Sequence, residues 1–154
     1  MTAFKFQGHR EAGKLFAGWM AEALSAAYDK LPGFDWVACV PMQPERQAQR
    51  GYNQAEVLAR ELADLLPGRP VPAPSLLLRR DGLTQHTLSA RMRRLEAKTA
   101  FAAADPAAVT GKRILLVDDI YTTGSTMREC AWRLRDAGAL SVCCVSAAIT
   151  RNKY

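Results

Sequence analysis

The 154-residue sequence lacks a long apolar run and has only two histidines. Residues 11 to 28 are rich in apolar side chains, but they include Glu11, Lys14 and Glu22, which make the stretch too polar to span a bilayer. No secretory signal pattern is recognisable either. We therefore expect a cytoplasmic protein that does not insert into a membrane.

Cysteine is also scarce, and the four cysteines do not have the spacing of a metal site. Cys143 and Cys144 are adjacent in an apparent strand, so their side chains point to opposite faces. Cys39 and Cys130 stand alone in apolar surroundings. The pattern favours buried, reduced thiols over a metal site.

Basic residues outnumber acidic ones, 21 to 15, which gives a formal net charge of +6. This charge favours anionic partners, but a polyphosphate ligand, a nucleic acid and plain solubility are all consistent with it. Apolar residues make up 49% of the chain, enough for a core at this length. We predict a single domain over residues 1–154 with an N-terminal amphipathic helix at about 9–29, whose apolar face holds Leu15, Phe16, Trp19, Met20, Ala23, Leu24 and Tyr28.

The strongest signal lies in residues 113 to 127. Ile114 to Val117 are apolar without alternation, which is typical of a strand covered on both faces. Asp118 and Asp119 follow where the strand would end, and a helical pattern begins at about residue 125. Between them comes a segment of hydroxyl groups and small residues: Thr122, Thr123, Gly124, Ser125 and Thr126.

A strand, a small hydroxyl-rich turn and a helix together favour an anion site, because N–H groups at a helix start converge and carry partial positive charge. A phosphate fits there. Asp118 and Asp119 would repel it, so they suit sugar hydroxyls, directly or through Mg²⁺. The alternative is a turn whose polar residues only cap the helix, but capping needs one such residue and here there are two acids and four hydroxyls.

The elements alternate along the chain in the manner of an α/β protein. We predict strands at 36–40, 74–78, 113–118 and 142–149 and helices at 53–66 and 125–137. This order favours a doubly wound, mostly parallel sheet. In such a sheet the loop after the first strand lies at the same edge as the two aspartates.

Two further segments are candidates for that edge. The first follows the first strand and contains Arg46 and Arg50; it leads to Asn53, which with Glu56 forms a capping box, so a structural role and a ligand role for Asn53 are both open. The second, residues 79 to 98, holds six basic side chains against Asp81 and Glu96. It is either a solvated face or a mobile flap over a polyphosphate.

Residues 114 to 127 closely resemble the signature of type I phosphoribosyltransferases, which in that family binds 5-phosphoribosyl-1-pyrophosphate (PRPP). Residues 49 to 54, Gln85 with Leu88 and Arg91, and residues 118 to 124 are similar to the ComF family, which is linked to DNA uptake in competent bacteria. The resemblance covers roughly residues 4 to 150.

Two departures from the ComF pattern are visible. Many members begin with a Cys-rich zinc-binding module, which is not found in this sequence. The family also tends to have asparagine shortly before the phenylalanine aligned with Phe101, where Lys98 stands here.

The resemblance implies a role for each matching residue. Asp118 and Asp119 would hold the ribose 2′- and 3′-hydroxyls, with Mg²⁺ bridging the diol and the pyrophosphate. The segment from Thr122 to Thr126 would wrap the 5-phosphate. The pyrophosphate loop would comprise Met42, Gln43, Pro44, Arg46 and Arg50, and the flap would contribute Arg79, Arg80, Gln85 and Arg91.

Three functions are compatible with these residues. The first is a phosphoribosyltransferase that displaces pyrophosphate from PRPP with a nitrogen nucleophile. The second is a non-catalytic PRPP sensor in DNA uptake, working with competence proteins. The third is a module that binds single-stranded DNA through Arg79, Arg80, Arg91, Arg93 and Arg94. The sequence does not distinguish the first two functions, because binding and turnover would use the same loop. It also leaves the acceptor and the oligomeric state open.

Overall fold

A computed structural model describes residues 10–28, 32–79 and 100–150. The strands in these ranges are β1 (Trp36–Cys39), β2 (Val71–Pro72), β3 (Leu77–Arg79), β4 (Phe101–Ala103), β5 (Arg113–Tyr121) and β6 (Ser141–Ile149). The helices are α1 (Arg10–Ala27), α2 (Pro44–Arg50), α3 (Gln54–Leu65), α4 (Pro106–Val109) and α5 (Ser125–Asp136).

Four strands form a parallel sheet in the order β2-β1-β5-β6. The central strand is β5: Ile114 pairs with Trp36 of β1 on one side and with Val142 of β6 on the other. The side chains of Ile114 to Val117 are fully buried, as the unbroken apolar run predicts. The predicted α/β class with a mostly parallel sheet is confirmed.

The helices cover the sheet on two faces, each with its own cluster of buried side chains. On one face α1 and α3 pack with Leu115 and Val117 of β5. On the other face α5 contributes Met127, Cys130 and Leu134, which pack with Ile114 and Leu116. Alternate residues of β5 thus supply both cores.

The predicted strand at 74–78 is confirmed only for Leu77 and Leu78 and is wrong over 74–76. The chain there forms a 3₁₀ turn over Pro74–Leu76 and then β3, which pairs with β4 in a separate antiparallel sheet. The parallel strand beside β1 is instead the two-residue β2. Prolines at 70, 72 and 74 explain the short strand, since proline cannot donate a backbone hydrogen bond to a neighbour.

The predicted apolar face of α1 is partly wrong. Met20 and Leu24 are buried, but the side chains of Leu15 and Trp19 are each 53% exposed and Ala17 is fully buried. Ala17 belongs to the same cluster as Ala55, Ala59 and Ala63 of α3. Small residues on both helices permit close contact, and Leu15 and Trp19 lie outside this cluster.

The cysteines confirm the expectation of free thiols but not that of burial throughout. Cys39 and Cys130 are buried, Cys143 is half-buried and Cys144 is exposed. Burial raises the pKa of Cys39 to about 12. Within residues 10–28, 32–79 and 100–150 no three histidine, cysteine or acidic side chains cluster as a metal site would require. None of the helices in these ranges has both the length and the apolar character needed to cross a membrane.

Candidate functional site

An open cavity of about 240 Å³ lies at the carboxyl ends of β1 and β5. In open α/β sheets this edge is where ligands bind. Three parts of the chain line the cavity, namely the segment after β1, the end of β5 with the first turn of α5, and β3. The lining residues are Val40, Pro41, Met42, Gln43, Arg46, Arg50, Asn53, Arg79, Asp118, Asp119, Ile120 and Thr126.

The acidic side of the cavity is the last part of β5. Asp118 and Asp119 are half-buried there, and the backbone N–H of Asp119 donates to Asp118 Oδ1 over 2.9 Å. The predicted strand end at 118 is too early, because β5 continues to Tyr121 alongside β6. The two carboxylates therefore belong to the last part of β5. The residues that precede them pair with β1 on one side and with β6 on the other.

The turn from β5 into α5 is shaped around Gly124. This residue has φ of 75°, a left-handed conformation that favours glycine, and any Cβ placed on it would collide with the ring and hydroxyl of Tyr121. Thr123 Oγ1 lies 3.0 Å from Ser125 Oγ, so the hydroxyls bond to each other across the turn. The N-cap residue Gly124 has no side chain to cap the helix, but the N–H of Ser125 donates to Thr123 Oγ1 over 3.5 Å.

The structure brings the predicted phosphate residues to the cavity unequally. Thr126 lines the cavity, whereas Thr122, Thr123 and Ser125 are exposed on the adjoining turn and Gly124 is buried beneath it. A phosphate on this turn would therefore bind at the mouth of the cavity.

The segment after β1 forms the basic side. It contains the short helix α2, which begins at Pro44 and ends at Arg50, and the next residue, Gly51, has φ of 79°. Arg46 and Arg50 reach the cavity from this helix. The sequence interpretation missed α2, although proline at a helix start and glycine just past its end are the usual signals.

Asn53 joins the end of β1 to α3. Its side-chain amide donates to the carbonyl of Val40 over 3.1 Å, and its Oδ1 accepts from the N–H of Ala55 over 3.1 Å. Asn53 therefore caps α3 as predicted, while the carboxylate of Glu56 bonds to Arg60. Asn53 also lines the cavity, so its cap role and a ligand role remain compatible.

Gln54, which the sequence interpretation did not single out as a site residue, lies directly behind Arg50. The Arg50 Nη1 donates to Gln54 Oε1 over 3.3 Å, and Gln54 is fully buried. No periodicity signals this contact, because it depends on the bend at Gly51 that brings two helix ends together.

The small antiparallel sheet of β3 and β4, here called the hood, borders the cavity on the third side. Arg79 lines the cavity, and its guanidinium lies 5.3 Å from the centre of the Phe101 ring, which is cation–π geometry. The hood is attached to α5 because the N–H of Ala100 donates to Glu129 Oε1 over 2.7 Å. The other predicted flap residues, Arg80, Gln85 and Arg91, lie outside the described residues.

The cavity thus combines cations and carboxylates from three parts of the chain. Arg46, Arg50 and Arg79 contribute the positive charge, and Asp118 and Asp119 the negative charge. Mg²⁺ commonly uses one or two protein carboxylates and takes its other ligands from substrate phosphates and water. The donor set at the end of β5 fits that mode of binding.

Comparisons with known proteins point to one family. The model of the phosphoribosyl transferase domain matches residues 48–153. The DNA utilization protein YhgH of Salmonella typhi is 39% identical over 73% of this chain and 48% of its own length. Competence protein ComFC of Streptococcus pneumoniae is 34% identical over 92% of this chain and 58% of its own length.

A solved structure with a similar fold is the glutamine PRPP amidotransferase of B. subtilis, complexed with ADP and GMP. It has a TM-score of 0.61 at 21% identity, over 90% of this chain and 26% of its own length, which is a likeness of fold alone. The chain spans about half the length of the curated relatives that it matches first. The match over residues 48–153 shows that the chain belongs to the phosphoribosyl transferase domain family, and its relatives confirm the resemblance to ComF proteins.

Proposed function

We propose that the chain binds PRPP with Mg²⁺ and acts as a phosphoribosyltransferase of ComF type. The observation that carries this proposal is the cavity itself, which is lined by two carboxylates of β5, two arginines of α2 and Arg79 of the hood. PRPP has the matching layout, since a sugar diol lies between a 5-phosphate and a pyrophosphate. A purely acidic cavity would repel both phosphate-bearing ends, and a purely basic one would leave the diol without carboxylate acceptors.

The acidic side suits the ribose. Asp118 and Asp119 would accept hydrogen bonds from the 2′- and 3′-hydroxyls, which are neutral donors and therefore compatible with carboxylates. When bound, Mg²⁺ would neutralise charge on the pyrophosphate, and these two carboxylates are the side chains placed to hold it.

The turn from Thr122 to Thr126 suits the 5-phosphate. Gly124 and Ser125 present backbone at the start of α5, where the helix dipole favours an anion. The hydroxyls of Thr123 and Ser125, now bonded to each other, would turn to donate to phosphate oxygens.

The basic side suits the pyrophosphate. Arg46 and Arg50 of α2 line the cavity together with Met42 and Gln43, and Arg79 approaches from the hood. Guanidinium groups bind phosphate oxygens through paired N–H donors, which makes these contacts strong and directional.

The proposed reaction breaks the bond between C1 of the ribose and the pyrophosphate oxygen, and a nitrogen nucleophile bonds to C1. Positive charge develops on the ribose ring, and negative charge develops on the leaving pyrophosphate. The carboxylates would stabilise the former and the arginines the latter, so catalysis needs positioning and electrostatic stabilisation without a covalent enzyme intermediate.

The names of the relatives support a place for this activity in DNA uptake or DNA use. We infer that the partners of the chain include PRPP and, in that setting, competence proteins or single-stranded DNA. Arg79 of the hood and the basic residues that follow it in the sequence are the candidate contacts for such a partner.

The test has two stages. Calorimetry with PRPP and Mg²⁺ measures binding, and release of pyrophosphate in the presence of nitrogen acceptors measures turnover. Binding with turnover supports the transferase, whereas binding without turnover across acceptors supports the PRPP sensor. Absence of PRPP binding, together with tight binding of single-stranded DNA that persists at high salt, would contradict both and support the nucleic-acid module.

A further inference from the structure

Gln54 presents an unusual combination of complete burial and incomplete hydrogen bonding. Its side chain is fully buried, and its Nε2 has no hydrogen-bond partner within the described part of the chain. A buried donor without a partner costs stability, and most buried polar groups in proteins are paired. An apolar residue of the same length would avoid that cost. A role of the Gln54 Oε1 atom would explain why glutamine stands here.

That other end holds Arg50. Gln54 Oε1 accepts from Arg50 Nη1 over 3.3 Å, and this contact sets which way the amide is turned, because the arginine offers only donors. Arg50 is half-buried and lines the cavity, whereas Gln54 does not line it. Gln54 therefore reaches the cavity only through Arg50.

A bend in the backbone brings Arg50 and Gln54 together. Arg50 is the last residue of α2 and Gln54 is the first of α3. Between them Gly51 has φ of 79°, with open space around it, so the glycine serves the bend and not a tight packing contact. Asn53 caps α3 and bonds to the carbonyl of Val40, which anchors the bend to the end of β1.

We propose that Gln54 is a positioning residue, whose buried carbonyl holds the Arg50 guanidinium at the pyrophosphate end of the cavity. The inference rests on the proposed function and adds to it a division of labour within residues 50 to 54. Arg50 contacts the ligand, Gly51 turns the chain, Asn53 anchors the turn and Gln54 sets the direction of the arginine. Without Gln54, Arg50 keeps its charge but samples many rotamers, which weakens binding by the entropy of ordering it again.

The test uses Gln54→Met, which keeps the length of the side chain and removes both polar atoms. We expect affinity for PRPP and for inorganic pyrophosphate to fall about fivefold to twentyfold, the range of one positioning contact. Affinity for ribose 5-phosphate, which has no pyrophosphate, stays unchanged. The matched control is Gln47→Met on the exposed surface of α2, which should alter none of the three affinities.

A double-mutant cycle with Arg50→Ala separates positioning from direct contact. If Gln54 acts through Arg50, Gln54→Met adds no further loss of affinity in the Arg50→Ala background. Urea unfolding of the same four proteins without ligand measures the contact independently. We expect a nonzero coupling free energy between the two substitutions, and we expect the Gln54→Met protein to be as stable as the unmodified chain.

The outcomes that would overturn the inference are distinct from those that concern the proposed function. Equal losses for PRPP and ribose 5-phosphate, full additivity with Arg50→Ala, or zero coupling in urea would each show that Gln54 does not position Arg50. Failure of the unmodified chain to bind either PRPP or pyrophosphate would instead overturn the proposed function, and the positioning role with it.

Discussion

The two sides of the cavity are built in different ways. On the β5 side, a strand carries two carboxylates near its end, at Asp118 and Asp119, and then leads through the turn at Gly124 into α5. On the β1 side, the chain passes through the short helix α2 and a bend at Gly51 before α3 begins at the buried Gln54. The first side therefore offers backbone N–H groups and acids in one contiguous segment, whereas the second offers arginines whose directions depend on contacts between separate elements.

We expect the two sides to differ in how well they tolerate amino-acid substitutions. A turn that binds through its backbone fails when its conformation is altered, whatever side chain causes the alteration. Several long arginine side chains line the cavity, so the loss of one should weaken binding without abolishing it. Substitutions on each side of the cavity test that contrast.

The largest effect is expected for Asp118→Asn combined with Asp119→Asn. Removing both charges from the end of β5 should abolish Mg²⁺-dependent PRPP binding, a loss of at least a hundredfold or about 2.8 kcal/mol. Both side chains are half-buried at the strand end and outside the two buried clusters, so the fold should survive. Calorimetry and circular dichroism measure the two quantities.

The control for the aspartates is Asp64→Asn on the exposed side of α3. It should bind PRPP normally. A folded double variant that retains full PRPP affinity would contradict the sugar-site assignment.

Gly124→Ala should come next, because it tests the backbone turn on the β5 side. The new methyl group meets the Tyr121 ring and the left-handed conformation disfavours alanine, so the turn must move. We expect affinity for both PRPP and ribose 5-phosphate to fall about tenfold to a hundredfold, or about 1.4 to 2.8 kcal/mol.

Gly68→Ala is a close control for this change. Gly68 also has a positive φ, of 77°, but nothing lies within 4 Å of a Cβ placed there. It should lose about 1 kcal/mol of stability from the backbone alone and keep its affinity for PRPP. Equal affinity losses in the two alanine variants would mean that the turn at Gly124 has no special role.

Arg46→Ala should have a smaller and more selective effect on the β1 side. Loss of one charged contact should weaken pyrophosphate and PRPP binding about fivefold to twentyfold, while ribose 5-phosphate binds as before. Arg60→Ala, which removes an exposed arginine paired with Glu56, is the control. If ribose 5-phosphate binding falls as much as pyrophosphate binding, the division of the cavity into two sides is wrong.

The smallest effect on the site is expected for Asp35→Asn, at the opposite end of the same strands. Asp35 precedes β1 and accepts hydrogen bonds from the Arg113 side chain and backbone at the start of β5, and these bonds hold its carboxyl pKa well below the usual range. The pair joins the two strands that lead to the cavity, but it lies at their amino ends.

The lowered pKa of Asp35 determines how its contribution to the stability of the fold changes with pH. The carboxylate stabilises the fold at pH values above the unfolded pKa of about 4, and that contribution disappears as the pH falls toward the folded pKa. Asp35→Asn should therefore be slightly less stable than the unmodified chain at pH 7, and the difference should shrink below about pH 4. PRPP affinity at pH 7 should not change, and a marked loss would show that the amino ends of the strands influence the site.

The contiguous part of the site was predictable from sequence. Four apolar residues, two acids and a glycine-containing hydroxyl segment specify a buried strand, its polar end and the start of a helix, because each feature is local. The same holds for α5, whose buried residues Met127, Cys130 and Leu134 follow the helical period, and for the Asn53 cap. The parallel sheet follows from the alternation of these elements.

Tertiary structure alone decided which residues meet across the cavity. The 3₁₀ turn and the hood replaced a predicted strand because prolines interrupt pairing there, and α1 buried alanine in preference to tryptophan because α3 approaches closely. The contact of Gln54 with Arg50 depends on a bend between two helices, and the approach of Arg79 depends on the pairing of β3 with β4. Local patterns report the conformation of a segment, but the direction of a long side chain depends on the neighbours that the fold places around it.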